Sequence, residues 1–318
     1  MGVVRSGPDY SRITEKGLIG MFRQELEPII GAGWASQVGM PSKSDQETET
    51  YRWLGMTPAL REWVGGRQAK GMRVESYQIT NKIFEATLDI PIDDLRRDKI
   101  DAIRPRLGDL AVRAKEHWEK LLTELIIANG LCYDGQNFFD TDHASGSSGT
   151  LQNDLDGTDV PALSAVSTAA KATRDEMIGV ITGLVEYMYS YKDDQGEPMN
   201  GGAKQFMFMV PVAQYAAAVG AVTDALTANG GSNTLIGQRF KVDVMPNPRL
   251  TTATEVYLFR TDGRAKPFIL QSELDAMASV IGAGSEEEFK NRRWLFGVEA
   301  IRAAGYGLWQ HAIRATLS

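Results

Sequence analysis

The strongest periodicity in the chain lies in residues 102–129. Ile103, Leu107, Leu110, Ala111, Ala114, Trp118, Leu121, Leu122 and Leu125 recur there at intervals of three, four and one. That spacing is a single stripe of an α-helix. Pro105 is tolerated only near the first turn, and Asn129-Gly130 supplies a stop. At the usual rise per residue this helix runs roughly 40 Å, well beyond ordinary length, and such a spine predicts an elongated domain. A second long helical stretch is expected over 163–191, with Ala169, Ala172, Met177, Val180, Ile181, Leu184 and Met188 facing inward. Residues 17–30 read as a short amphipathic segment.

Alternation replaces the helical period elsewhere. Residues 76–79 and 84–92 read as strands, with Phe84, Ala86, Leu88, Ile90 and Ile92 on one face. Before them come a polar run, 42–50, and a turn-rich centre holding Gly55, Pro58 and Gly65-Gly66. Together they predict a long β-hairpin or extended loop returning into a core strand. Residues 132–142 read as strand and turn, and 144–158 as a loop rich in Gly, Ser and Asp. Strand 205–210, helix 212–228 and strands 239–244, 255–259 and 267–270 then form an α/β region of about 110 residues, an ordinary domain size. From 294 to 315 the pattern is again extended and punctuated by glycine. There is no internal repeat.

Composition narrows the function classes. The 318 residues suffice for one large domain or two to three ordinary ones, and 43% hydrophobic with 24% charged is a globular balance. The net charge of −7, from 41 acidic and 34 basic side chains, excludes a basic nucleic-acid reader that grips phosphates. A container that merely encloses nucleic acid remains compatible. The single cysteine, Cys132, excludes an internal disulfide and any multi-cysteine metal centre, so stability comes from burial and from other chains. Residues 1–10 lack the apolar core of a secretory signal. The most hydrophobic run, 207–222, is interrupted by Pro211 and Gln214 and is too short for a bilayer. A soluble, cytoplasmic product with no membrane partner is expected.

The run Asp134-Gly135-Gln136-Asn137-Phe138-Phe139-Asp140-Thr141-Asp142-His143 concentrates chemistry-bearing residues. Asp140 and Asp142 fall on one side of a strand and His143 follows, a set able to hold a divalent metal for hydrolysis. The same residues are ordinary turn chemistry, because Asp side chains bond nearby backbone N–H groups where a chain reverses. With only His117, His143 and His311 in the chain, a histidine-rich centre cannot be assembled. Turn and packing is the favoured reading, and no catalytic residue, metal or cofactor is expected. No Gly-Lys pair, G-x-G-x-x-G or His-Glu-x-x-His occurs. Gly146-Ser147-Ser148-Gly149 is not a nucleophile elbow. Cys132 could pair with His143, but a lone cysteine is most often a small buried hydrophobe.

A different signal sits in the turn-rich centre. Trp53, Met56, Leu60 and Trp63 lie among Arg52, Arg61, Glu62 and Arg67 in a section unable to form its own core. Tryptophan with arginine favours association surfaces. Trp53, Arg61, Trp63 and Arg67 are therefore the expected subunit contacts, against the alternative that the tryptophans fold back on their own domain. Gly297, Gly305 and Gly307 mark strand bends or the close approach of another backbone.

These segments fall into ordered blocks: Pro41-Ser42, then Tyr51-Arg52-Trp53-Leu54-Gly55-x-x-Pro58-x-Leu60-Arg61-Glu62-Trp63-x-Gly65-x-Arg67, then Asn81-Lys82-x-Phe84-Glu85, and finally Cys132-Tyr133-Asp134-Gly135-Gln136-x-Phe138-Phe139-Asp140-Thr141-Asp142-His143. In this order and separation they resemble the Mu-like phage major head (capsid) subunit family over nearly the whole chain. Ala144 departs from that pattern, which leads one to expect a proline there. The resemblance implies an α+β chain of the Hong Kong 97-type capsid fold. Its parts would be an N-terminal arm (1–35), an extended β-loop (36–90), a peripheral domain (91–160) with spine helix 102–129, an axial α/β domain (161–290), and last strands (291–318) returning to the peripheral domain.

The implied role is structural and not enzymatic. Copies would self-assemble, as hexamers and pentamers, into an icosahedral shell around double-stranded DNA bound without sequence specificity. Portal, scaffold and decoration proteins would be further partners. Assembly would take place in the host cytoplasm and the product would be the virion capsid. Nothing singles out a Lys, Asn and Glu set for covalent crosslinking. The alternatives are an encapsulin-like nanocompartment shell and a metal-dependent hydrolase using Asp140, Asp142 and His143.

Overall fold

The computed structural model describes residues 14–26, 33–51, 77–96, 100–193 and 196–318. In chain order these form α1 (Glu15–Leu26), the single turn α2 (Ala35–Val38), β1 (Gly39–Lys43), β2 (Thr48–Tyr51), β3 (Tyr77–Thr80), β4 (Lys82–Pro91), α3 (Ile92–Arg96) and α4 (Ile100–Ala128). The two-residue strands β5 (His143–Ala144), β6 (Thr150–Leu151) and β7 (Asp154–Leu155) follow. Then come α5 (Arg174–Ser190), β8 (Gln205–Val210), α6 (Val212–Thr223), β9 (Lys241–Pro246) and β10 (Glu255–Arg260). The chain continues through β11 (Phe268–Ile281), α7 (Glu286–Asn291), β12 (Arg293–Tyr306) and β13 (Ala312–Thr316).

Two sheets organise these elements. One has the order β1-β11-β12-β4, the other β7-β13-β10-β8-β9, and β2–β3 and β5–β6 are two-stranded ribbons. In the five-stranded sheet, strand parity divides the side chains between two cores. Phe206, Phe208, Val210, Val256 and Leu258 pack with Met177, Ile181, Leu184 and Met188 of α5 and Ala218 and Ala221 of α6. The intervening Met207, Met209, Tyr257 and Phe259 face a second core with Leu122 and Ile126 of α4, Phe138, Phe139 and Trp309. Phe268, Leu270 and Tyr306 bring the four-stranded sheet into that same core.

The helix α4 links this joint core to a third one. Its first half places Ile103, Leu107 and Ala111 against Leu18 and Phe22 of α1 and Trp294, Phe296 and Val298 of β12. Phe22 and Phe296 meet at 5.6 Å between ring centroids. Each such large side chain contributes about 1.5–3 kcal/mol by leaving water. The expected helix 102–129 is thus present as Ile100–Ala128, and Asn129 stops it by turning left-handed at φ 45°. Tyr306 caps this end: its hydroxyl accepts from the Gly130 amide at 2.6 Å and donates to the Leu125 carbonyl at 2.8 Å. Pro105 sits in the second turn instead of the first, because the helix starts before residue 102.

Other expectations need correction. The helix proposed for 163–191 begins only at Arg174. Thr173 and Glu176 close a capping box there, and Ala172 reaches the core from the preceding loop. The helix expected over 212–228 ends at Thr223. The strand placed at 267–270 extends to Ile281, its second half alternating between partly buried and exposed positions. Of the inward set proposed for β4, Ala86 is exposed, and Ile92 opens α3 as a buried residue. Residues 132–142 hold no strand, only a turn closed by a bridge between Leu131 and Asn137. The chain end is divided between the sheets: β12 pairs with β4 and β11, whereas β13 pairs with β10 and β7. Ala144, where proline was expected, pairs with Thr150. Among the described residues no helix is long and apolar enough to cross a membrane.

Two histidines, His311 buried and His117 half-buried, make this fold sensitive to acid. The pKa of His311 is lowered to about 4 by burial and then by Arg260, with Asp262 opposing, while its Nδ1 lies 3.1 Å from the Ala265 carbonyl. The pKa of His117 is also lowered to about 4, by burial and then by Arg302 and Lys120. An unfolded histidine titrates near 6.5, so below that pH the unfolded chain binds more protons and stability drains away toward pH 4. Urea unfolding at pH 7 and pH 4.5 is expected to show a lower midpoint at pH 4.5. His311 alone accounts for on the order of 3 kcal/mol over the full window, and His311→Gln should flatten the pH dependence.

Candidate functional site

The loop after α4 gathers the residues that the sequence marked for chemistry. Asn129 holds the loop shut, its side chain exchanging hydrogen bonds with both backbone groups of Phe139 at 2.7 and 2.9 Å. Gly135, at φ 86°, makes the reversal, where only glycine is unstrained. The Asp134 Oδ1 accepts from the Gln136 amide at 3.1 Å and from the Cys132 thiol at 2.8 Å. Its Oδ2 faces Nδ1 of His143 at 2.7 Å. His143 is fully buried, stacked on Trp309 with centroids 4.0 Å apart and planes 9° apart.

The far nitrogen of His143 lies 3.2 Å from Oδ1 of Asn153. The orientation of Asn153 is fixed by its Nδ2, which points at the carbonyls of Phe138, Trp309 and Ala312, and by Oδ1 accepting from the Asp140 amide. The cluster therefore staples the loop 130–143 to the segment before β13.

Cys132, Asp134 and His143 offer three ligand atoms within 4.8 Å of one another. All three are already engaged with each other, and burial together with Asp134 pushes the Cys132 thiol well above its ordinary pKa. The three groups satisfy one another's hydrogen bonds, which makes the arrangement a hydrogen-bonded packing knot. The carboxyl of Asp134 is held below its usual range against the cost of burial, chiefly by the hydrogen bond from His143.

Of the set Asp140, Asp142 and His143, the two carboxyl groups lie side by side and share a hydrogen bond, but the His143 ring does not join them. Asp140 accepts from the amides of Asn137 and Thr141, which is turn chemistry. Asp142 is exposed and takes a 2.6 Å bond from Gln136. The His143 ring turns inward instead. The partners that the sequence reading left unassigned are Asp134, Asn153 and Trp309. The Asp134-Gly135 pair was visible as a turn, but nothing local announced the contact with Trp309.

The expected subunit contacts Trp53, Arg61, Trp63 and Arg67 all lie outside the described residues. Their segment leaves and re-enters at one point, since Tyr51 is opposite Tyr77 across the β2–β3 ribbon. The hydroxyl of Tyr51 donates to Gln271 at 2.8 Å, and that of Tyr77 accepts from the Tyr306 amide at 3.1 Å. Both ends of the intervening segment are thereby pinned to the four-stranded sheet.

Comparison with known proteins decides what this architecture is. The model of the Mu-like prophage major head subunit gpT family matches residues 15–174 and 238–317, well over half of the chain. The chain belongs to this family. The Mu-like head subunits similar to it include the major capsid protein of Escherichia phage Mu, 34% identical over 148 residues, 46% of this chain and 45% of the relative. The Mu-like prophage FluMu major head subunit of Haemophilus influenzae is 31% identical over 134 residues, 42% of each. The matched stretch spans less than half of these relatives' length.

Among solved structures, the procapsid of bacteriophage JBD30 matches with a TM-score of 0.55 and 24% identity, over 96% of this chain and 77% of that one. A virus-like particle from Pyrococcus furiosus matches at 0.52 and 9%, over 94% and 98%. The fold is the Hong Kong 97-type capsid fold, in its α+β form. Residues 175–237, which hold all of α5 but its first residue together with β8 and α6, fall between the two parts matched by the family model.

If the His143 cluster is a packing knot, His143→Ala should cost roughly 3 kcal/mol through the lost stacking and hydrogen bonds. Thermal melts of the unaltered protein should then be the same with and without added zinc. A zinc-dependent rise that Cys132→Ser abolishes would make the cluster a metal centre.

Proposed function

We propose that this chain is the major capsid (head) protein of a phage or prophage, a tile that self-assembles into an icosahedral shell around double-stranded DNA. The observation that carries the reading is membership of the Mu-like major head subunit family together with the capsid fold. The role is structural, as that of the family is, and the Cys132, Asp134 and His143 side chains found together among the described residues are engaged with one another by hydrogen bonds. Hexamers and pentamers of the chain are the assembled units, and portal, scaffold and decoration proteins the further partners. Assembly takes place in the host cytoplasm and the finished shell is that of the virion.

The domain plan follows the same reading. Residues 1–35 are the arm, 36–90 the extended loop, 91–160 the peripheral domain around α4, and 161–290 the axial domain, save that β11 pairs with β12 in the sheet on the peripheral side. Because β13 pairs with β10, the last strand belongs to the axial sheet. Trp53, Arg61, Trp63 and Arg67 are proposed as contacts with a neighbouring subunit. Their segment is anchored at both ends by Tyr51 and Tyr77, a sound base for a strap across another copy. Many such contacts, each weak, give a durable shell through multivalency.

The expressed protein is expected to sediment as particles visible by negative-stain microscopy, enclosing nuclease-protected DNA when made in an infected or induced host. Particles that hold only protein cargo would favour a nanocompartment shell. Trp63→Ala should lower particle yield about tenfold, as removal of an interface anchor does, and Asp142→Ala should leave it unchanged. A protein that stays monomeric at high concentration would overturn the proposal.

A further inference from the structure

Between α4 and the strands β4 and β12 runs an open groove of about 430 Å³, walled by Phe84, Leu88, Leu110, Arg113 and Val298, with Arg302 on its lining. A second hollow of about 390 Å³, alongside Leu121 and Leu125, is bordered by Phe84 and Arg302 again. Arg302 is only 4% exposed. Its Nη1 donates to the Ala114 carbonyl at 3.2 Å, and the guanidinium lies 4.9 Å above the Trp118 ring. Its Nε has no hydrogen-bond partner, and among the described residues no carboxylate forms an ion pair with it.

A guanidinium does not shed its proton, so burying one without a counter-charge is strongly unfavourable. Burial pulls the pKa of Arg302 below the ordinary value, and only the exposed Asp275 opposes this electrostatically. The neighbouring His117, whose pKa is lowered to about 4, adds no positive charge at neutral pH. Among the described residues this cation is thus left without an ion-pair partner beneath a largely apolar groove that opens to solvent.

We infer that this groove is a docking site for a second copy of the chain, which inserts an Asp or Glu side chain to pair with Arg302. The inference rests on the shell reading above. The apolar walls suit the hydrocarbon part of such a side chain and its neighbours, and each copy carries seven more acidic than basic residues to supply it. Glu85, Asp109 and Glu299 also line the groove. Arg106 and Arg113 lie on the same lining, so with Arg302 the groove holds as many guanidinium groups as carboxylates and offers a polyphosphate no net attraction, whereas one carboxylate can still pair with Arg302.

Arg302→Met, close in volume and uncharged, separates the possibilities. In dispersed subunits it should leave the melting temperature unchanged or raise it, because an unpaired buried charge is gone. In assembly it should raise the threshold concentration tenfold or more, roughly the loss of one buried charge pair across an interface. Ala86→Trp, on an exposed position of the groove wall, should block assembly while leaving Arg302 and the subunit's stability alone. Shells forming at the unaltered threshold in both variants would overturn the docking site and leave the shell reading standing. Equal destabilisation of dispersed subunits and shells by Arg302→Met would also overturn it, by giving Arg302 a partner within its own chain. Failure of the unaltered protein to form particles would remove the shell reading and this inference with it.

Discussion

The dry contact between the two sheets is what the rest of the molecule depends on. β8 and β10 present apolar side chains on both faces, so their sheet cannot stand with one side in water. The helices α5 and α6 cover one face. The other is covered by pieces from four remote parts of the sequence: the second half of α4, Phe138 and Phe139, Phe268 with Tyr306, and Trp309. Stacking of Phe138 on Tyr306 at 4.9 Å and of His143 on Trp309 at 4.0 Å fixes how these pieces sit. The joint core thereby sets the position of α4, and α4 carries the four-stranded sheet through its first half. The buried polar groups follow the same logic. Asn153 and Tyr306 satisfy loop and helix-end backbone groups that would otherwise be stranded in a water-free region.

What was legible in the sequence was whatever a local pattern dictates. The stripe of α4 predicted that helix to within two residues at its start, and the strand read over 205–210 is present, buried on both sides from Phe206 to Val210. The start of α5 was misplaced although Thr173 and Glu176 carry its capping box, because apolar residues upstream continue a helix-like spacing while serving the core from a loop. The second half of β11 was missed for a different reason. Leu274, Ala276, Ala278 and Val280 alternate correctly, but alanine and leucine favour helices, and the strand is rescued only by pairing with β12. Tertiary pairing outweighed local preference there.

The candidate site shows the same boundary between local and remote information. The turn-forming roles of Asp134-Gly135 and Asp140 follow from residue type. Which way the imidazole of His143 turns does not, because that is decided by Trp309 from the end of the chain and by Asn153. A metal reading of Asp140, Asp142 and His143 is right that the two carboxyls meet, but takes the imidazole beside them in sequence for a neighbour in space. The fold sends the ring inward and leaves Asp142 in water. The family blocks, by contrast, were readable because they are strings of sequence, and they pointed to the fold without any knowledge of contacts.

Assembly as proposed above places a further demand on the surface, because each copy carries a net charge of −7. Identical acidic subunits repel at long range, although at physiological salt that repulsion fades within about 8 Å. Association must then come from short-range contacts whose own composition does not add to the repulsion. The chain has such surface: between Lys204 and Arg239 the only charged residue is Asp224, and it is paired with Arg174 at 2.9 Å. Val212, Tyr215, Leu226 and Ile236 in that stretch are all exposed. Repulsion that is weak and screened, set against contacts that are local and many, favours copies that can correct a wrong arrangement before a shell closes. A tile with an acidic exterior and neutral or unpaired contact regions meets that requirement with no single strong bond.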